Sequence, residues 1–282
     1  MSKKLKLRWA GECAECSTAL AGGTEAWWDS ATKAATCIRC HDGPPPIEVG
    51  VAGASAAAEY EKRSRRETRR KEAVVAKDAA WREQVKESRP ILGRLQTALT
   101  PKPVVGPESQ STRAWKVGEV GELAVAKRLA ECEGVIALHD RRVPGTKGNV
   151  DHLAIGPGGV YIVDAKRYEG KVERRDVGSF FRPDIRLYVN NRDRTKVVKG
   201  MTWQVEAVRK AMDARGHADV PLRAVLCFVE GEWSLFAKPI LLDGVTILWP
   251  KAMQELVRGG QLLDAVGIDL VARDLAVALP VK

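Results

Sequence analysis

From Trp115 onward the chain alternates between helix-like and strand-like patterning. Leu123, Val125, Ala126, Leu129 and Ala130 recur at helical spacing and predict a helix over residues 118–131. Apolar runs at 135–138, 150–155 and 160–164 predict three strands. The last two flank Gly156-Pro157-Gly158-Gly159, whose central Pro-Gly suits a type II turn. A strand at 186–189 is expected to run into a turn at Asn190-Asn191. Residues 201–215 predict a helix stopped by Gly216, and 222–229 and 244–249 predict two buried strands. The order helix, three strands, helix, strand indicates an α/β sandwich.

Upstream the pattern changes. Residues 42–58 are rich in Pro, Gly and Ala and read as a linker. Residues 59–89 contain no Gly or Pro and read as one charged helix, ended by Pro90. Glu59/Arg63, Glu61/Arg65, Glu67/Lys71 and Asp78/Arg82 are acid-before-base pairs at i,i+4, which favour such a helix. Between Lys62 and Lys86 there are ten basic and four acidic residues, a net of +6. A basic arm riding on phosphates and a solvated spacer both fit; the interleaving of the charges favours the spacer. Residues 91–99 suit a short amphipathic helix, and 251–282 a helical C-terminal tail.

Composition narrows the class. The 282 residues are 45% hydrophobic, enough for a substantial core, and 29% charged. The net charge of +10 points to a polyanionic partner, nucleic acid being the commonest. No apolar run of the length that spans a bilayer occurs, and no membrane association is expected. The basic start, Lys3 to Arg8, leads into Trp9 and cysteines instead of the apolar stretch of a secretory leader. A cytoplasmic location is the expectation. The cysteines agree: four sit in two CxxC pairs, while Cys132 and Cys227 lie alone in apolar surroundings.

Cys13-x2-Cys16 and Cys37-x2-Cys40 are the spacing of a structural Zn²⁺ site. Each pair presents two thiolates on one knuckle, and residues 9–41 are short enough to depend on the metal for folding. The intervening segment suits a hairpin, as in a zinc ribbon. His41 offers itself as a substitute for Cys40, less favourably. Trp27 and Trp28 either stack on bases or cover the small apolar face of the unit.

The second constellation is acidic. If 150–155 and 160–164 form a hairpin about Pro157-Gly158, paired residue numbers sum to 315, and Asp151 lies opposite Asp164. Directly paired side chains share a face, about 5 Å apart at Cβ. Lys166, two residues beyond Asp164, shares it as well. Two facing carboxylates destabilise a sheet unless something neutralises them, and a hard divalent cation would. A plain Lys–Asp salt bridge is the structural alternative. His152, one residue on from Asp151, should point to the opposite face as a structural group. Arg141, Arg142 and Lys147 are possible phosphate contacts, and Tyr168 a possible support for the cluster.

These residues carry a family resemblance. Gly148-Asn149-Val150-Asp151-His152, followed by GPGGVYIVDAK and preceded by Gly118-Glu119-Val120-Gly121-Glu122, resembles the nuclease-related domain, NERD, of the PD-(D/E)xK nuclease superfamily. The resemblance covers roughly residues 112–250. It implies a restriction-endonuclease-like α/β core with a three-stranded antiparallel start. By position, Asp151 resembles the first acidic residue of the superfamily and Asp164-Ala165-Lys166 its (D/E)xK triplet. Glu122 resembles the helix carboxylate that completes the metal site, and Gln204 a polar residue found near such sites. The implied activity is hydrolysis of phosphodiester bonds in nucleic acid, DNA in the first instance, with Mg²⁺ or Mn²⁺ at Asp151, Asp164 and Glu122. A catalytically inactive nuclease-fold protein that binds nucleic acid or acts as an adaptor is the alternative.

Overall fold

The computed structural model describes residues 2–43, 45–179 and 181–282. The chain divides into two units, Met1–Ile47 and Glu48–Lys282. In the first, β1 (Ser2–Lys6), β4 (Glu25–Asp29) and β5 (Ala34–Cys37) form an antiparallel sheet in that order. β2 (Gly11–Glu12) pairs with β3 (Ala19–Leu20), and α1 (Ile38–Asp42) follows β5. Leu7, Leu20, Ala26 and Ala35 make a core of only a few side chains, with Cys13 among them. So small a core cannot offset the chain entropy of folding by burial alone.

The second unit opens with α2 (Ala54–Ser88), α3 (Leu92–Leu99) and α4 (Gln110–Ala130). α2 is helical from Ala54, within the stretch that composition marks as linker, because Ala54, Ala56 and Ala57 are good helix formers. Ser109 caps α4, accepting the Thr112 amide. Then come β6 (Ile136–Arg142), β7 (Asn149–Gly156), β8 (Gly159–Lys166), β9 (Gly170–Asp176), β10 (Ile185–Val189) and β11 (Arg192–Asp193). They are followed by α5 (Thr195–Lys199), α6 (Thr202–Asp213), β12 (Leu222–Phe228), β13 (Gly231–Glu232), β14 (Ile240–Leu242) and β15 (Val245–Leu248). α7 (Pro250–Arg258) and α8 (Ala265–Ala278) finish the chain.

The main sheet has the order β14-β15-β12-β8-β7-β6. β6, β7 and β8 form an antiparallel meander, and β12 runs parallel to β8 after the excursion through β9–β11 and α6. One face carries Ala154, Tyr161, Val163, Ala165, Val225 and Cys227, covered by Val125 and Leu129 of α4 and by Met253 and Val257 of α7. On the other face α6 and α8 pack together, α6 against β12 and α8 against β6 and β7. With both faces covered, β8 is buried along nearly its whole length, which is why it reads as a continuous apolar run. β9, β10, β11 and β13 make a second, four-stranded sheet.

The β7–β8 register runs from Gly156↔Gly159 to His152↔Val163, so the sum of 315 holds along the hairpin. The turn itself differs from expectation. The left-handed φ of 123° falls on Gly159 and not on Gly158, so the turn is not type II. A Cβ on Gly159 would lie 2.5 Å from the Pro221 carbonyl oxygen, and the close approach to the chain entering β12 decides which residue takes the unusual conformation.

The free edge of β6 is covered by both ends of the unit. The His139 amide donates to Val49 O at 2.6 Å, and the Arg142 amide to Pro280 O at 2.8 Å. Arg141, fully buried, donates to the carbonyls of Glu48, Ala276 and Leu279 at 2.6–2.7 Å. This corrects the expectation of a phosphate contact: the guanidinium ties residue 48 and the carbonyl end of α8 to the sheet.

Candidate functional site

Continuing the hairpin register by one residue sets Asp151 opposite Asp164, with Lys166 two residues along β8. Lys166 Nζ donates to Asp164 Oδ1. Gln204, near the start of α6, donates from Nε2 to Asp164 Oδ2 at 3.4 Å. Glu122 arrives from α4, buried at 8% exposure. Its Oε2 is buried with no hydrogen-bond partner among the described residues, and so is Gln204 Oε1. Buried acceptors are rarely left so. Gly148, just before the Asp151 strand, lies beneath the Trp203 indole of α6, where a Cβ would be 2.6 Å from the ring.

A fourth carboxylate escaped the sequence reading. His139↔His152 and Arg141↔Val150 flank Asp140 in one register, which places Asp140 opposite Asp151. Asp140, Asp151 and Asp164 therefore stand in a row across three strands. Asp140 is fully buried, has a left-handed φ of 48°, and already has its donors. Oδ2 accepts the Ser55 amide of the first turn of α2 at 2.6 Å, and Oδ1 accepts Asn149 Nδ2 at 2.8 Å. It thus caps α2 from a distant strand, where an anion is favoured by the helix dipole. Asp140 lies two residues past the strand predicted at 135–138, adjoining the Arg141 singled out from the sequence.

The crowding shows in the protonation equilibria. Burial, reinforced by Asp140 and Asp164, pushes the Glu122 carboxyl up to about 7, while the Gly53 amide acts in the opposite sense. Burial and then Asp164 and Glu122 hold Asp151 well above the usual carboxylate range. For Lys166 burial opposes the charge, but Asp164 and Asp151 outweigh it and hold the ammonium above its ordinary value. One cation thus faces three close carboxylates, two of them reluctant to ionise. The cluster thus offers hard oxygen atoms, one of them buried without a donor, and negative charge in excess of the lysine, the chemistry that a divalent cation would satisfy, although its ligand atoms are not gathered as closely as the four cysteine sulfurs.

His152 points to the opposite side of its strand from Asp151, as alternation predicts. It meets His139 across the sheet, Nδ1 to Nδ1 at 2.9 Å, and burial pushes it down to about 3. Tyr168 stacks under the Arg194 guanidinium, 4.5 Å from its ring centroid, and tilts against Phe228.

In the first unit, ligand atoms of Cys13, Cys16, Cys37 and Cys40 all lie within 4.8 Å of one another. Cys16 Sγ and Cys37 Sγ are 3.9 Å apart. A zinc tetrahedron with Zn–S of about 2.3 Å needs sulfurs about 3.8 Å apart. The Cys37 amide donates to Cys13 Sγ at 3.2 Å and, with burial opposing, lowers that thiol to about 6. The four cysteines can hold a structural zinc. His41 is turned away, stacked on Trp27 at 3.9 Å and bonded to Asp42 at 2.8 Å. Trp28 packs on the apolar core.

The site is thus built on an antiparallel meander flanked by helices, with carboxylates and a lysine on its inner strands. Residues 117–229 match the family model of the nuclease-related domain, NERD. That segment is less than half of the chain. No curated protein and no solved structure matches it. Among the described residues no helix is long and apolar enough to cross a membrane.

Proposed function

We propose that this protein is a divalent-metal-dependent nuclease of the PD-(D/E)xK type, hydrolysing phosphodiester bonds in nucleic acid, DNA in the first instance. Asp151 and Asp164 would hold Mg²⁺ or Mn²⁺, with Glu122 completing the set. The observation that carries the reading is the buried, donorless Oε2 of Glu122 beside two facing aspartates. The bound ion would lower the pKa of a water and offset charge on the phosphate.

The chain's own residues divide the rest. Asp164 is held by Lys166 and Gln204, which fixes the direction of its oxygens. Lys166, kept protonated by two aspartates, is placed to attract a phosphate oxygen and stabilise the charge that builds on it. Asp151 and Glu122, both inclined to hold a proton, would have to give it up to hold the cation. The Lys166–Asp164 ion pair favours the second reading, a nucleic-acid-binding or adaptor protein that keeps the fold without the chemistry. Cleavage of DNA and RNA substrates with and without Mg²⁺ or Mn²⁺, in wild type and Asp164→Asn, separates the two. Metal-dependent cleavage lost in the variant supports the enzyme; no cleavage of any substrate supports the adaptor.

A further inference from the structure

α2 does not stand free as a spacer. It packs antiparallel along α4, as a ladder of contacts shows: Lys116 over Tyr60, Arg63 over Trp115, and Glu67 bonded to Ser109 and Thr112. One end of this helix pair is the carboxylate cluster, where the Ser55 amide meets Asp140. The other end opens into a groove of about 1120 Å³ between α2 and residues 104–112. Its α2 wall carries Lys62, Arg63, Arg66, Arg70 and Lys71 against only Glu59 and Glu67.

Both of those acids are committed internally. Glu59 pairs with Lys62 and Arg63. Glu67 pairs with Lys71 and accepts the Ser109 amide and the Thr112 hydroxyl, and these donors, the Lys71 ammonium first, depress it to about 2. Arg66 and Arg70 remain, exposed and with no carboxylate partner among the described residues. Four residues apart, they share one helix face. At 1.5 Å per residue they lie about 17 and 22 Å along α2 from Ser55.

We propose that this groove binds the phosphate backbone of nucleic acid, as a track leading away from the carboxylate cluster, with Arg66 and Arg70 as its free cations. The inference rests on the nucleic-acid reading above. A concave wall with guanidiniums unspent on internal ion pairs suits a polyanion that contributes several phosphates at once. Of the α2 arginines without a carboxylate partner among the described residues, Arg66 and Arg70 lie on the walled side and Arg69 outside it, so Arg69 serves as the internal comparison.

The test is fluorescence anisotropy of labelled duplex and single-stranded DNA over a salt series, using the full chain without added Mg²⁺ or Mn²⁺. Arg66→Gln/Arg70→Gln is compared with Arg65→Gln/Arg69→Gln, which removes the same charge from α2 outside the groove. The expected result is about tenfold weaker binding for the groove pair, with a salt slope lower by about two, and a much smaller change for the control pair. Equal losses in both variants would mean diffuse charge and overturn the groove. An unchanged groove variant would overturn it as well, leaving the nuclease reading intact. Wild type that binds no nucleic acid would sink both readings. Competition by poly-glutamate as effective as by DNA would point to an acidic protein instead and overturn the nucleic-acid track.

Discussion

Asp140 and Ser55, 85 positions apart, are joined by a 2.6 Å hydrogen bond from the Ser55 amide to Asp140 Oδ2. Through it the first turn of α2, outside the segment that matches the nuclease-related domain, is fastened to the strand beside Asp151. Asp140→Ala would leave the Ser55 amide without its acceptor and Asn149 Nδ2 with Ser55 Oγ alone. A loss of about 1–3 kcal/mol is expected in denaturant unfolding, with Asp140→Asn costing less because it keeps an acceptor. Wild-type stability in the alanine variant would refute the cap.

The same bond governs truncation. Removing residues 1–47 should leave the melting temperature of the larger unit nearly unchanged, since 48–282 has its own core. Removing 1–88 takes away Gly53, Ser55 and the buried Ala52 and Ala56, and should destabilise the domain and its carboxylate cluster. Calorimetry of the two truncations decides. An 89–282 fragment as stable as 48–282 would show that α2 is dispensable.

The purified protein should contain about one zinc per chain, bound by Cys13, Cys16, Cys37 and Cys40. Cys37→Ser should lose the metal and unfold the first unit, leaving the second folded. Elemental analysis and far-ultraviolet dichroism read this out; metal-free protein with an intact first unit would contradict it.

For the carboxylates the expected pattern is a separation of metal response from cleavage. Asp164→Asn should abolish cleavage and the Mg²⁺-induced rise in melting temperature. It should leave metal-free stability within about 1 kcal/mol, because relief of repulsion from Asp151 and Glu122 offsets the lost ion pair. Lys166→Ala should also abolish cleavage but keep the metal response. Unfolding of metal-free Asp164→Asn would make the pair structural.

Two glutamates should pull stability in opposite directions with pH. Glu122, raised in the folded state to about 7, is protonated more readily folded than unfolded. Metal-free stability should therefore fall as pH rises from about 4.5 through 7, and Mg²⁺ affinity should rise over that window as the proton is displaced. Glu67, lowered to about 2, contributes stability present above about 4.5 and lost as pH falls toward 2. Glu122→Gln should remove the first slope and Glu67→Gln the second in pH-dependent unfolding. Slopes that persist would assign them elsewhere.

Local pattern alone determined a good part of this protein. Two apolar runs about Pro157-Gly158 specify a hairpin, and because the side-chain period of a strand is two, its register alone sets Asp151 opposite Asp164 with Lys166 alongside. The CxxC spacing likewise specifies a four-sulfur cluster, since each knuckle is a local turn. Glu122 and Gln204 were legible only through family resemblance, because nothing in the spacing of two helices says which strand they will meet. Tertiary structure decided the rest. Asp140 joins the row only because β6 pairs with β7. Arg141 becomes a clamp only where residue 48 and the end of α8 converge on it. The last residues of the stretch read as linker, from Ala54 on, become the start of a helix held by a distant carboxylate. The last two depend on partners 85 or more positions away, and a local period carries no information about which long-range partner will satisfy a buried donor or charge.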